Sequence, residues 1–210
     1  MKEKNQQKKS SSKKGGFSTL IAKAEKNRVG SFTEVEGNLI TLANDGEFDF
    51  IGHGCNCFAT MGAGIALPIG IEFPEMKKAD RNFEAPHAMR LGDYSSAYIR
   101  RGEVAFTGIN FYSQYNPGKD FIKESLILGL KKFVLQHKED YPTKRDKLAK
   151  MRFGLPLIGC GIAGGNWDEV KEIIKTELSE FDVTIVHFVE NQQAQRNQYL
   201  DDWKKDMGGF

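Results

Sequence analysis

The chain has 210 residues, 40% of them hydrophobic and 28% charged, with a net charge of +2. That length suits one domain with some tail and is enough to bury a substantial core. No apolar stretch approaches the roughly 20 residues of a membrane-spanning helix, the basic N-terminus has no apolar segment behind it, and three cysteines are too few for a disulfide framework, so neither a membrane-spanning helix nor a secretory signal is expected and a reducing, cytoplasmic setting is.

Residues 1–30 form a basic leader. Residues 1–28 carry nine Lys/Arg against Glu3 and Glu25, a net of +7, which leaves −5 for the rest of the chain. Residues 1–16 have no apolar residue after Met1 and are expected to be disordered. A short helix is expected around Phe17, Leu20 and Ile21. Such a leader supports at most weak contact with nucleic acid, and a plain solvated tail is the favoured reading.

The domain begins near Ser31. Phe32-Thr33-Glu34-Val35 alternates as a strand, Gly37-Asn38 breaks it, and Leu39, Ile40 and Leu42 suit a short helical turn. Asp49 to Gly54 is the second strand. A helix follows from about Gly64, cut short or bent by Pro68. Residues 71–90 read as a short helix between loops. Asp93–Ile99 and Val104–Tyr112 are two strands joined tightly by residues 100–103, a hairpin and hence an antiparallel element.

Asn116-Pro117-Gly118 marks a turn. Apolar residues at helical spacing predict a helix from Phe121 to about Gln136, followed by a polar loop or frayed end over 137–150. Met151–Ile158 reads as a central strand, Trp167 to about Ser179 as a helix capped by Asn166 or Gly165, and Val183–Val189 as the last strand. Residues 191–210 form a tail or short surface helix. The alternation over 31–190 predicts an α/β fold, a three-layer sandwich with a mixed sheet.

Two glycine-rich stretches follow predicted strands and open predicted helices. One is Met61-Gly62-Ala63-Gly64-Ile65; the other runs Gly159-Cys160-Gly161-Ile162-Ala163-Gly164-Gly165. Exposed backbone N–H groups in such turns bind phosphate, and ligands of α/β sheets sit beyond the carboxyl ends of the strands. Gly159–Gly164 also satisfies G-x-G-x-x-G, with Glu190 further on, as in a dinucleotide fingerprint. Against that reading, twenty residues follow Glu190, so a dinucleotide domain would need its remaining strands upstream of its own fingerprint.

His53, Cys55 and Cys57 point to one side of an extended backbone and, with Cys160, make a conceivable zinc set, although C-x-C is tighter than the usual spacing. His53 is otherwise a catalytic base or a structural hydrogen bonder. Asn56 suits the vicinal hydroxyls of a ribose, or an Asx turn. Phe188 flanks a nucleobase or packs in the core. Tyr112 and Tyr115 line a pocket or pack.

Together these segments resemble the macro domain, a module that binds ADP-ribose. The resemblance covers residues 32–190 and rests on Glu36-Gly37-Asn38-Leu39-Ile40, on His53 through Ala66, on Gln114-Tyr115-Asn116-Pro117-Gly118, and on Leu155 through Trp167. It is greatest to the branch that dephosphorylates ADP-ribose 1″-phosphate and to macro-domain proteins of large bacteriophages, for which the setting would be the host cytoplasm.

The resemblance implies a macro-domain three-layer α/β/α sandwich, with ADP-ribose or ADP-ribose 1″-phosphate as partner, no cofactor, no metal and a monomeric state. Asn38 stands where many macro domains have an Asp that bonds the adenine amino group, with Leu39 beside it. Asn56 matches the amide that holds the distal ribose. Gly62, Ala63, Gly64 and Ile65 match the first phosphate-side loop; Gly159, Cys160, Gly161, Ile162, Ala163 and Gly164 match the second. Phe188 matches the aromatic near adenine, and His53 a histidine implicated in catalysis.

The implied activity is hydrolysis of ADP-ribose 1″-phosphate to ADP-ribose and phosphate, with non-catalytic binding of ADP-ribose or a related nucleotide, or removal of ADP-ribose from modified protein or nucleic acid, as the alternatives. A related branch removes ADP-ribose from proteins or DNA, using a Lys and in some members an Asp. Ala163 and Gly164 stand where that Asp would fall, and Ser113 or Gln114 where one such Lys would.

Overall fold

The computed structural model describes residues 30–140 and 151–189. The expectations for residues 1–29, 141–150 and 190–210, Glu190 included, lie outside them. Six strands form one mixed sheet: β1 (Phe32–Gly37), β2 (Phe50–Asn56), β3 (Tyr94–Arg101), β4 (Val104–Gln114), β5 (Arg152–Leu155) and β6 (Asp182–Phe188), in spatial order β1-β6-β5-β2-β4-β3. All neighbours pair parallel except β3, which runs antiparallel to β4 through the predicted hairpin at the edge of the sheet.

Because β2 alternates its side chains between the two faces, Phe50 and Ile51 enter different cores. One face packs Phe50, Ile109, Phe111, Phe153, Leu155, Val183 and Ile185 against α5 (Lys123–Asp140) and α6 (Trp167–Glu177). Those helices turn inward Leu126, Leu130, Phe133 and Val134, and Val170, Ile174 and Leu178, at the spacing of one helical stripe. The other face packs Ile51, Ile99, Phe106 and Val186 against α1 (Leu39–Asn44), α2 (Ala66–Glu72) and α3 (Pro74–Arg81), which contribute Ile40, Ile69 and Met76. Helices thus cover both faces of the mixed sheet, the predicted three-layer sandwich. Among the described residues no helix is long and apolar enough to cross a membrane.

Three elements differ from expectation, each for a physical reason. Pro68 does not end a helix; it sits at the third residue of α2, where a backbone N–H has no intrahelical acceptor in any case. Pro74 opens α3 at its first position, so residues 71–90 hold the end of α2, all of α3 and a short α4 (His87–Arg90). β5 stops at Leu155 because Pro156 cannot donate to the ladder, and residues 156–158 already belong to the loop.

Asn38 caps α1, its Oδ1 accepting from Ile40 N at 2.9 Å and Thr41 N at 3.4 Å. Asn38→Ala is expected to cost about 1 kcal/mol of stability through this cap alone, and Asn38→Asp to retain it, as read by urea unfolding. Asn166 caps α6, accepting from Glu169 N at 3.2 Å.

Candidate functional site

The carboxyl ends of β1, β6, β5, β2 and β4 lie side by side and point the same way. Along that edge stand Asn38 and Leu39 after β1, Phe188 at the end of β6, the second glycine loop after β5, and Asn56 with the first glycine loop after β2. Residues 115–120 follow β4. At about 4.8 Å per strand, β1 and β2 are roughly 14 Å apart, so these segments line one extended edge of the sheet.

The two loops meet. The position a Cβ on Gly64 would occupy lies 3.6 Å from Ile162 Cδ1, and Ile162 is 58% exposed at the rim. Local bonds shape the second loop: Gly164 N donates to Gly161 O (3.0 Å) and Gly165 N to Gly159 O (2.8 Å). Gly159 needs to be glycine, since its φ is +74° and a Cβ would stand 2.4 Å from the Phe121 ring.

Gly161 differs. Nothing lies within 4 Å of its Cβ position, and a Cβ on Gly62 would meet only Thr60 O, at 3.7 Å. Among the described residues, the amides of Gly161, Ile162 and Ala163 donate to no protein acceptor, and neither do those of Gly62, Ala63, Gly64 and Ile65. Open space beside uncommitted N–H donors on two facing loops is what a phosphate group requires.

Asn56 ends β2 and makes the Asx turn, its Oδ1 accepting from Phe58 N at 2.9 Å while its Nδ2 donates to Thr60 Oγ1 at 2.7 Å. One amide hydrogen remains for a ligand. Phe188 is 50% exposed and pairs in register with Gly37, next to Asn38, so its ring stands at the β1 end of that edge rather than in the core. Leu39 is buried, which leaves only its backbone to face a ligand.

His53 lies elsewhere. It is 0% exposed, on the α3 side of the sheet, with Nε2 2.8 Å from Asn110 Oδ1. Asn110 Nδ2 donates to Met76 O and to Ser95 Oγ, both at 3.0 Å. The Tyr112 hydroxyl lies 3.1 Å from Ser95 Oγ and 3.0 Å from Asp80 Oδ1, and Arg90 stands 3.9 Å from that carboxylate. Burial holds the His53 imidazole down at about 4, and burial raises the Asp80 carboxyl. In this conformation His53 is a neutral member of an interior polar chain, shielded from solvent. Tyr112 packs in the same interior, whereas Tyr115 meets the Phe58 ring edge-on at 5.2 Å.

The zinc reading finds no set. Cys55 Sγ lies 3.6 Å from His53 Nε2, Cys160 donates to Ile158 O at 3.3 Å, and burial pushes the Cys57 and Cys160 thiols up to about 11. Among the described residues no group of three or more His, Cys, Asp or Glu could hold a metal ion.

The sequence reading missed Asn110, Lys119 and Phe121. An Asn between Ile109 and Phe111 in an apolar strand was the available signal for Asn110. Nothing local marked Lys119 or Phe121, whose contacts with the second loop span 38 to 45 residues of chain.

No protein-family model matches the chain. Over 158 residues it is 34% identical to an uncharacterised 17.5 kDa protein from the tk–vs intergenic region of Enterobacteria phage T4, covering 72% of this chain and 93% of that protein. Among solved structures it resembles the macrodomain of Mycobacterium tuberculosis DarG (TM-score 0.57, 19% identity, 75% of this chain and 97% of that one). It also resembles the macrodomain of Thermus aquaticus DarG (0.56, 23%, 76% and 99%). A third likeness is to Thermosipho africanus DarTG in complex with ADP-ribose (0.57, 16%, 76% and 42%). The chain therefore belongs to the family of the phage T4 17.5 kDa protein, and its fold is that of the macrodomains.

Proposed function

We propose that this chain binds ADP-ribose along the carboxyl edge of its five parallel strands. The observation that carries the reading is the pair of facing loops, whose uncommitted amides border open space at Gly62 and Gly161. The diphosphate lies between them. Adenine then falls beside Phe188 and Asn38, and the distal ribose beside Asn56, the order of parts in the ligand matching the order of strands. The solved DarTG complex with ADP-ribose, on the same fold, supports this choice of ligand.

We further propose hydrolysis of ADP-ribose 1″-phosphate on this site. Water adds to phosphorus, the bond from phosphorus to the 1″ oxygen breaks, and that oxygen leaves with a proton to give ADP-ribose and inorganic phosphate. The loop amides hold the charge that builds on the phosphoryl oxygens. With His53 buried and neutral, the substrate's own phosphoryl oxygens accept the proton of the attacking water.

Calorimetry with ADP-ribose and phosphate release from ADP-ribose 1″-phosphate test the two statements separately. Binding without release leaves the protein a binder, and no binding of either ligand sinks both readings. Phe188→Ala is expected to weaken ADP-ribose binding about tenfold, the contribution of one stacked base, with little change in stability because half the ring is already exposed. An unchanged Kd would remove Phe188 from the adenine site.

A further inference from the structure

The chain after β4 turns through Asn116, Pro117 and Gly118, where Gly118 has φ +96° and the Asp120 carboxylate accepts from Asn116 N at 2.6 Å. Phe121 fastens this segment to the second glycine loop. Its N–H donates to Ala163 O at 3.1 Å, and its ring fills the space beside Gly159 and Gly165. Just before it, the stem of Lys119 runs across Gly164. The Lys119 Cγ, Cδ and Cε atoms lie 2.7, 3.2 and 2.9 Å from the position a Gly164 Cβ would take, where φ is already +78°.

The ammonium is one bond beyond Cε, so it stands within about 4.5 Å of that position. Among the described residues Lys119 makes no hydrogen bond or ion pair. Its charge is carried to the outer end of the loop by the packing of its aliphatic stem, not by attraction to a carboxylate among the described residues. The one acidic neighbour in sequence, Asp120, already holds the Asn116 amide. Because β4 is the last of the five parallel strands, Lys119 stands toward the end of their carboxyl edge opposite Asn38 and Phe188.

We propose, resting on the ADP-ribose reading above, that Lys119 selects ligands carrying an anionic group on the distal ribose, a phosphate monoester at the 1″ position. The amides of both loops are neutral donors and serve the diphosphate that all such ligands share. A point-charge ammonium at the distal end strengthens binding only when a further negative charge is present there, because a charge-assisted bond is roughly twice as strong as a neutral one.

The test is calorimetry on the full chain, as wild type, Lys119→Ala and Lys119→Arg, with ADP-ribose and with the non-hydrolysable phosphonate analogue of ADP-ribose 1″-phosphate. The wild type is expected to prefer the analogue. Lys119→Ala is expected to weaken the analogue about tenfold or more and ADP-ribose less than about twofold. Lys119→Arg is expected to keep most of the preference, and the preference is expected to shrink as salt rises.

Equal weakening of both ligands by Lys119→Ala, or no weakening of either, overturns the assignment while the ADP-ribose site stands. Failure of the wild type to bind either ligand overturns both together. Thermal unfolding of each variant separates a lost contact from a lost fold.

Discussion

Gly161→Glu is expected to weaken ADP-ribose binding at least about 100-fold while leaving the thermal midpoint within about 2 °C of wild type. The fold does not demand glycine here: among the described residues nothing beyond its chain neighbours lies within 4 Å of the Cβ position, and φ is not in the left-handed region. A side chain at this point therefore enters the space assigned to the diphosphate. A carboxylate about 5 Å from a phosphate charge costs about 3 kcal/mol at the effective dielectric of a protein surface, which is already two orders of magnitude in Kd. Gly159→Ala is the opposite case. Its φ of +74° and the Phe121 ring 2.4 Å from the new Cβ are expected to cost about 1–3 kcal/mol or more and lower the midpoint by several degrees. Calorimetry and thermal unfolding of the two variants together locate the ligand. Wild-type affinity in Gly161→Glu would place it somewhere other than between the loops.

The sheet and its edge were legible because strand and helix periods differ and because turn residues punctuate them. The alternation at Phe32–Val35, the apolar run at Phe50–Ile51 and the stripe through Leu126, Leu130 and Phe133 all fell into place. So did the position of both glycine loops, since a glycine turn after a parallel strand can only lie at the carboxyl edge. Prolines were read less well: Pro68 and Pro74 looked like breaks, yet a proline in the first turn of a helix disrupts nothing. Side-chain destinations were the least legible. The period of two fixed which face His53 takes, but its fate was set by Asn110, 57 residues away in sequence on the neighbouring strand. Ser113 or Gln114 stands where a related branch has a lysine, whereas the stem of Lys119, which no local pattern marked, packs across a glycine of another loop.

Between about pH 7 and pH 4 the protein is expected to lose about 3 kcal/mol of stability through His53 alone. The imidazole has an ordinary value near 6.5 in an unfolded chain, and burial lowers it to about 4 in the folded one. Below 6.5 the unfolded chain takes up a proton that the folded protein refuses, so folding weakens as pH falls, until the folded histidine also protonates near 4. Above 6.5 neither state is charged and the effect is absent. Asp80, on the same hydrogen-bonded chain, works the other way: its carboxyl is raised by burial, which favours the fold as the carboxyl protonates at the acid end. Glu34 and Glu75, lowered by their bonds to Lys171 and Arg101, lose stability with falling pH but at lower pH and near the surface. A comparison with His53→Gln isolates the histidine, since glutamine keeps a donor for Asn110 Oδ1 and does not titrate. Urea unfolding at a series of pH values is expected to give a steep wild-type curve between pH 6.5 and 4 and a much flatter variant curve. Parallel curves would mean that His53 titrates normally in the folded protein, free to protonate at neutral pH and to serve as a base. The same slope bears on the chemistry, because a base with a value near 4, sealed under the sheet, is almost fully neutral at pH 7 and too weak to draw a proton from water efficiently. Phosphate release that survives in His53→Gln with an unchanged pH profile, while the stability curve flattens, would assign this histidine to the fold rather than to the reaction.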